Sequence, residues 1–193
     1  EISARPKQVQ AEKKAAKAIE SCDTACMRIE TEEGILLHFF VTHSSRENLY
    51  PVIQITGELG TLEWEMKLPS RLRFNNGLVK EIPLDDSLIL RKKVMTHLID
   101  RLKNKSAFIC TLDIAAAQTI CVNAAHKSSI IKSIPRISVK TLKENNDTRV
   151  IINGIDEIIP KAFAKEKLFS ELGVKWAANM KTKPVEIASL KEF

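Results

Sequence analysis

Glycine, aromatic residues and long apolar runs are all scarce in this sequence. The glycines are Gly34, Gly57, Gly60, Gly77, Gly154 and Gly173. No two are separated by a single residue, so no G-x-G-x-x-G turn is available to cradle a phosphate chain. Aromatic residues make up 5% of the chain, too few to build a stacking platform for single-stranded nucleic acid. No apolar run approaches the roughly 20 residues that span a bilayer, so no membrane partner is expected. No G-x-S-x-G elbow is present, which leaves Ser/His/Asp hydrolysis without its nucleophile turn. There is no internal repeat and no basic-plus-apolar leader. The chain begins with Glu1, and a fragment or a processed chain is expected on that ground.

Thirty Lys+Arg against 24 Asp+Glu give a formal charge of +6. The signs are mixed, as in Glu12-Lys-Lys and Lys165-Glu-Lys, and no long basic block occurs. These charges are expected on a solvated surface, and nucleic acid is not an expected partner. The cysteines are Cys22, Cys26, Cys110 and Cys121. Their even number permits two disulfides, but a chain with 44% hydrophobic residues has core enough without them. Cys22 and Cys26 have the spacing of a loose metal pair with no second pair to complete it. Buried, reduced thiols, no metal site and a cytoplasmic location are the expectation.

What the chain does have is a run of alternating strands. In Val52–Trp64 the apolar residues fall on alternate positions, Ile53 and Ile55 before Glu58-Leu59 and Leu62 and Trp64 after it. Gly57 and Gly60 flank the reversal. This predicts a tight hairpin at the centre of a sheet, with one face on a core. Ala25–Glu30 and Ile35–His43 read as strands around Gly34, and the second is apolar enough to be covered on both faces. Arg71–Phe74 and Leu78–Ile82 flank Asn75-Asn-Gly77, a hairpin signal. Lys7–Ile19 is rich in alanine and lysine and could be a helix; a strand is the preferred reading.

The period then changes. Ser87 can cap a helix in which Leu90, Val94, Leu98 and Leu102 recur at four-residue steps, an amphipathic helix expected to pack on the sheet. Thr111 caps a second, apolar helix expected to be mostly buried. Ile137–Leu142 and Val150–Ile152 read as late strands around Glu144-Asn-Asn-Asp147. Ile155–Leu172 is a last helical stretch closed by Gly173, with Pro160 at its start or at a kink. Lys175–Phe193 is a tail docked through Trp176.

Four histidines are the acid/base candidates. His38 in the apolar strand reads as a hydrogen-bonded core or interface residue, His97 as surface, and His126 as a cation at a helix end. His43 ends a strand beside Ser44, Ser45 and Arg46, and strand ends commonly line sites. His43 and Arg46 are therefore the candidate substrate-binding pair, Arg46 suiting a sugar hydroxyl or a carboxylate.

Several of these features stand in an order that resembles the C-terminal domain of the Gfo/Idh/MocA oxidoreductases, the glucose–fructose oxidoreductase and inositol dehydrogenase group. They are the Asp23-Thr-Ala strand, the Gly57-Glu-Leu-Gly60 hairpin followed by Thr61-Leu62, the helix ending at Lys103-Asn104, the Thr111-Leu-Asp113 helix start, the Ala124-Ala-His-Lys-Ser128 helix end and Ile134-Pro-Arg136. The match runs from Val9 to Arg136, and the segment after Arg136 reads as a subgroup extension.

The resemblance implies an α+β fold: an open, predominantly antiparallel β-sheet with helices on one face, of the dihydrodipicolinate reductase/glyceraldehyde-3-phosphate dehydrogenase-like C-terminal type. Residues 1–174 would be one domain and 175–193 a tail. The chain would be the substrate-covering and oligomerisation domain of an NAD(P)-dependent oxidoreductase acting on a sugar or cyclitol. Its implied partners are an N-terminal Rossmann domain that holds NAD or NADP, a small-molecule substrate and further copies of itself.

The family's catalytic E-K-P lysine has no counterpart. Lys183-Pro184 follows Thr182 in the tail, and no Asp-x-x-x-His occurs. No catalytic or cofactor-binding residue is assigned, and the isolated chain is expected to be inactive. The alternative is a stand-alone, non-catalytic interaction or dimerisation module that uses the open sheet face. A third reading, a basic polyanion binder, predicts salt-sensitive binding to DNA or RNA.

Overall fold

The computed structural model describes residues 4–144 and 147–190. From the N-terminus run β1 (Pro6–Ala15), β2 (Thr24–Thr31) and β3 (Leu36–Thr42). A meander of β4 (Val52–Gly57), β5 (Gly60–Glu65), β6 (Ser70–Phe74) and β7 (Val79–Ile82) follows. Two helices come next, α1 (Ser87–Lys103) and α2 (Leu112–Ser128). The remaining elements are β8 (Ile131–Ser133), β9 (Val139–Glu144), β10 (Asp147–Ile152), α3 (Ile155–Lys165) and β11 (Val185–Glu186). The reversal between β9 and β10 at Asn145-Asn146 lies outside the described residues. The fold is α+β with mainly antiparallel pairing, as expected at that level. Among the described residues it holds three sheets, and the chain divides into two compact units. One is built from the residues up to Glu47 and from Thr111 onward, the other from Asn48–Cys110.

In the first unit the strands lie in the order β11-β1-β2-β3, with β8 parallel to β1. Lys7–Ile19 forms a strand up to Ala15, because burial on both faces of a sheet outweighs the helix propensity of alanine and lysine. Directly paired residues share a face, as Ala11, Met27 and Phe39 do, and as Glu12, Cys26 and Phe40 do.

On the first face Val9 and Ala11 pack against Ala124 and Ala125 of α2. On the second, Cys26 and Phe40 meet Ile152, Ile155, Phe169 and Trp176. Phe169 makes an edge contact with Trp176 at 5.3 Å between centroids. Both faces of this sheet are therefore covered, which differs from the expected helices on one face only. The cause is the segment after Arg136, which lays a second apolar layer on the sheet.

Several expectations change for related reasons. β3 is an edge strand, and Leu37 and Phe39 remain 44% and 46% exposed, so it is not covered on both faces. α2 buries Ala124, Ala125 and Ser128, since its last turns are the ones that reach β1. α3 stops at Glu166 in the left-handed region (φ 52°), and a separate 3-10 turn, Ser170–Leu172, follows. That break turns Leu168 and Phe169 into the core, where both are essentially unexposed. Pro160 lies inside α3. Beyond it, Trp176 and Ala177 are buried, and Val185 and Glu186 pair with β1.

In the second unit the strands run β4-β5-β6-β7. The hairpin at Glu58-Leu59 is at the edge of this sheet, not at its centre. Its glycines act differently. A Cβ at Gly60 (φ 154°) would lie 2.0 Å from the carbonyl oxygen of Arg73, while one at Gly57 would meet nothing. The alternation sorts the sheet as expected. One face carries Ile53, Ile55, Leu62, Trp64 and Leu72, and the other carries the ion pairs Arg71–Glu81 (3.0 Å) and Arg73–Glu63 (3.3 Å). No residue of this unit is buried, however. α1 is capped by Asp86, whose carboxylate accepts from the Leu88 amide at 2.7 Å, rather than by Ser87. It buries none of its residues, so the expected packing of its apolar stripe is not found.

Candidate functional site

His43 and Arg46 stand where β3 gives way to a loop, and both are exposed. The His43 amide donates to the Asp23 carbonyl at 2.7 Å. The loop that follows is fixed by its backbone. The amides of Arg46 and Glu47 donate to the Asp156 carboxylate at 3.0–3.2 Å. Arg149 donates to the carbonyl of Arg46 at 2.9 Å, and the Ile152 amide to that of Ser44 at 2.9 Å. A carboxylate held by two successive amides is a small anion nest with its anion supplied internally. The loop therefore presents the two side chains from a rigid backbone.

The other histidines are distributed differently. His97 is on exposed α1. His38 Nε2 accepts from Arg28 Nε at 3.3 Å and its ring stacks on Phe40; burial and then the Arg28 charge push its pKa down. His126 Nδ1 lies 3.1 Å from Lys13 Nζ. Burial and the adjacent Lys13 charge lower its pKa, and it stands in the last turn of α2.

The largest departure from the sequence reading is Glu12-Lys13-Lys14, expected on the surface and found 0%, 4% and 3% exposed in mid-β1. Glu12 accepts from the Ser170 hydroxyl in a short hydrogen bond and from the Ser170 amide at 3.1 Å. Burial drives its pKa up, and the Ser170 bonds offset this only in part. The Cys26 thiol donates to Glu12 at 3.7 Å. Burial, then the Glu12 charge, raise that thiol well above its usual pKa, so Cys26 is an inert protonated thiol. Lys14 donates to the Trp176 carbonyl at 2.7 Å with its ammonium 5.9 Å from the indole centroid.

These groups were missed because charge was read as exposure. The signal was available: three charged residues in the middle of a strand, Lys13 in step with Val9 and Ala11 and its neighbours on the opposite face, have no loop to escape into. No disulfide joins the four cysteines, and Cys26 is the buried one.

Among the described residues no cluster of His, Cys, Asp or Glu has the arrangement to hold a metal ion. The residues present do not fit a dinucleotide phosphate either. No glycine-rich strand-to-helix turn exists. Each helix N-terminus already carries its own acid: Asp86 at α1, Asp113 at α2, and Asp156 and Glu157 at α3.

No protein-family model matches the chain, and no curated protein does. Solved structures do. The chain shares its fold with part of an oxidoreductase. That protein, from Agrobacterium radiobacter, was crystallised with NAD+, L-tartaric acid and magnesium; the likeness has a TM-score of 0.52 at 18% identity, over 64% of this chain and 41% of that one. An inositol dehydrogenase homolog from Azotobacter vinelandii, complexed with NADH and myo-inositol, matches with a TM-score of 0.37 at 14% identity, over 44% of this chain and 24% of that one. The chain thus spans less than half the length of either. No helix of the described residues is long and apolar enough to cross a membrane.

Proposed function

We propose that this chain is the C-terminal, substrate-covering and subunit-joining domain of an NAD(P)-dependent oxidoreductase of the Gfo/Idh/MocA type, acting on a sugar or cyclitol. The observation that carries the reading is the fold shared over 64% of the chain with 41% of a longer oxidoreductase. The ordered motifs from Val9 to Arg136 support it. So does the second unit, whose apolar faces call for cover.

In this reading the nicotinamide and the hydride-transfer residues belong to a Rossmann domain outside this chain. His43 and Arg46, on their fixed loop, contact the substrate's hydroxyls or carboxylate. The test is the mass of the natural polypeptide together with its dinucleotide binding. A polypeptide longer by roughly 120–150 residues that binds NAD or NADP, with no NADH turnover by this chain alone, is the expected result. Turnover by this chain alone, or a natural polypeptide without a dinucleotide domain, overturns it.

A second reading, an interaction module without catalysis, is favoured by the exposed surface. Ile53, Ile55 and Ile82 are 46–58% exposed on the β4–β7 sheet, and patches of this kind mark interfaces. Sedimentation velocity tests what the two readings share: a monomer at all concentrations counts against a role in joining subunits.

A further inference from the structure

Among the described residues two lysines are almost wholly buried, and they differ in how their amines are held. Lys14 has a carbonyl acceptor at 2.7 Å and an aromatic face. Lys13 points to the other side of β1, toward the end of α2. Among the described residues no carboxylate is within ion-pair distance of it, and its amine meets His126 Nδ1 at 3.1 Å. The stem of Lys13 is enclosed, with the residue 4% exposed, while His126 is at the surface. The amine therefore ends at an exposed imidazole.

The titratable groups on the elements against β1 here are His126 and Lys127 on α2, Lys132 on β8, and Cys22 and Asp23 ahead of β2. The Asp23 carboxylate is taken up by the amides of Ala16 and Lys17 and the Thr24 hydroxyl. Lys132 donates to the Asn179 carbonyl.

We propose that Lys13 and His126 form a carbonyl-capture site, in which the Lys13 amine condenses with a small aldehyde and His126 moves the proton. The uncharged amine attacks the carbonyl carbon, and one of its two N–H protons passes by way of His126 Nδ1 to the carbonyl oxygen, giving the carbinolamine. The second N–H proton, taken up by His126 and handed to the hydroxyl, leaves with it as water, and a neutral C=N bond to Lys13 remains. No oxidant or reductant enters. The amine is predisposed to the reactive form, because burial lowers the Lys13 pKa, with the Cys22 charge opposing. A neutral His126 is likewise the form able to accept the proton.

The test is reductive trapping with glyceraldehyde and cyanoborohydride near neutral pH, read by peptide mass mapping on the intact chain. Lys13 is expected to be labelled at least about tenfold faster than Lys7, which is 50% exposed and paired with Glu30. Lys14, equally buried but held by Trp176, is the internal control and stays unlabelled. The labelling of Lys13 persists to lower pH than that of Lys7. His126→Gln, a surface change, is expected to slow Lys13 labelling by about tenfold or more. Labelling of Lys13 no faster than Lys7, or an unchanged rate in His126→Gln, overturns the proposal.

Discussion

The two units of this molecule use the same strand pattern to opposite ends. In β1 and β2, alternate residues go to two faces, and each face has a cover: the end of α2 on one, the segment carrying Phe169 and Trp176 on the other. In β4–β7 the alternation is equally regular, with an apolar face and a face of ion pairs, yet nothing in the unit is buried. α1 repeats the point, a helix with an apolar stripe and no buried residue. Periodicity specifies which side chains share a face. It does not specify what covers that face, which depends on segments far away in sequence or on another chain.

The comparison can be broken most directly at Phe169. Phe169→Ala removes a fully buried ring and is expected to cost about 3–5 kcal/mol by urea unfolding. Ile55→Ala, on the uncovered sheet, should cost under about 1 kcal/mol in the isolated chain. Equal losses at the two sites would erase the distinction between the units. Gly60→Ala tests whether the second unit has any fixed internal geometry. Its new methyl would meet the Arg73 carbonyl at 2.0 Å, with an expected cost of about 2–3 kcal/mol and faster amide exchange through β5 and β6.

Smaller is the effect at the link between β2 and the covering segment. Arg28 donates to both carboxylate oxygens of Glu171, at 3.0 and 2.6 Å. Both side chains are about a third exposed, so Arg28→Ala should cost only about 1 kcal/mol. Burial raises the Glu171 pKa, but the bonds from Arg28 and the Leu168 amide outweigh it and leave the pKa lowered. This contribution is present above the usual glutamate range and is lost as pH falls through the lowered folded pKa. Glu12 has the opposite sign. Its raised folded pKa means that its favourable contribution is full below the usual glutamate pKa and is lost as pH rises through the folded value. Glu12→Gln keeps the Ser170 partners and removes the buried charge. It should be neutral or stabilising by about 1 kcal/mol at neutral pH, with the advantage gone in acid.

Much of the fold was legible. The strands from β2 to β7, the Thr111 cap, the end of α2 near Ser128 and the closing Gly173 follow from local periodicity and turn chemistry. The candidate loop at His43 was legible as a strand end. Its clamping by Asp156 and Arg149 was not, because those partners lie more than 100 positions away. The buried row Glu12-Lys13-Lys14 was misread because composition assigns charge to the surface by default. Only the partners of a charged residue, here Ser170, His126 and Trp176, show that a buried site has been built for it.

By itself the sequence determined most element types, the two faces of the strands from β2 to β7 and the lack of a G-x-G-x-x-G turn, since these depend on neighbours within a few residues. The tertiary structure alone decided which faces are closed, that β3 and β4 are edge strands, and that Lys13 and His126 meet. Those outcomes depend on contacts between distant segments, whose free energy is gained only when the chain brings them together, and no local pattern records them.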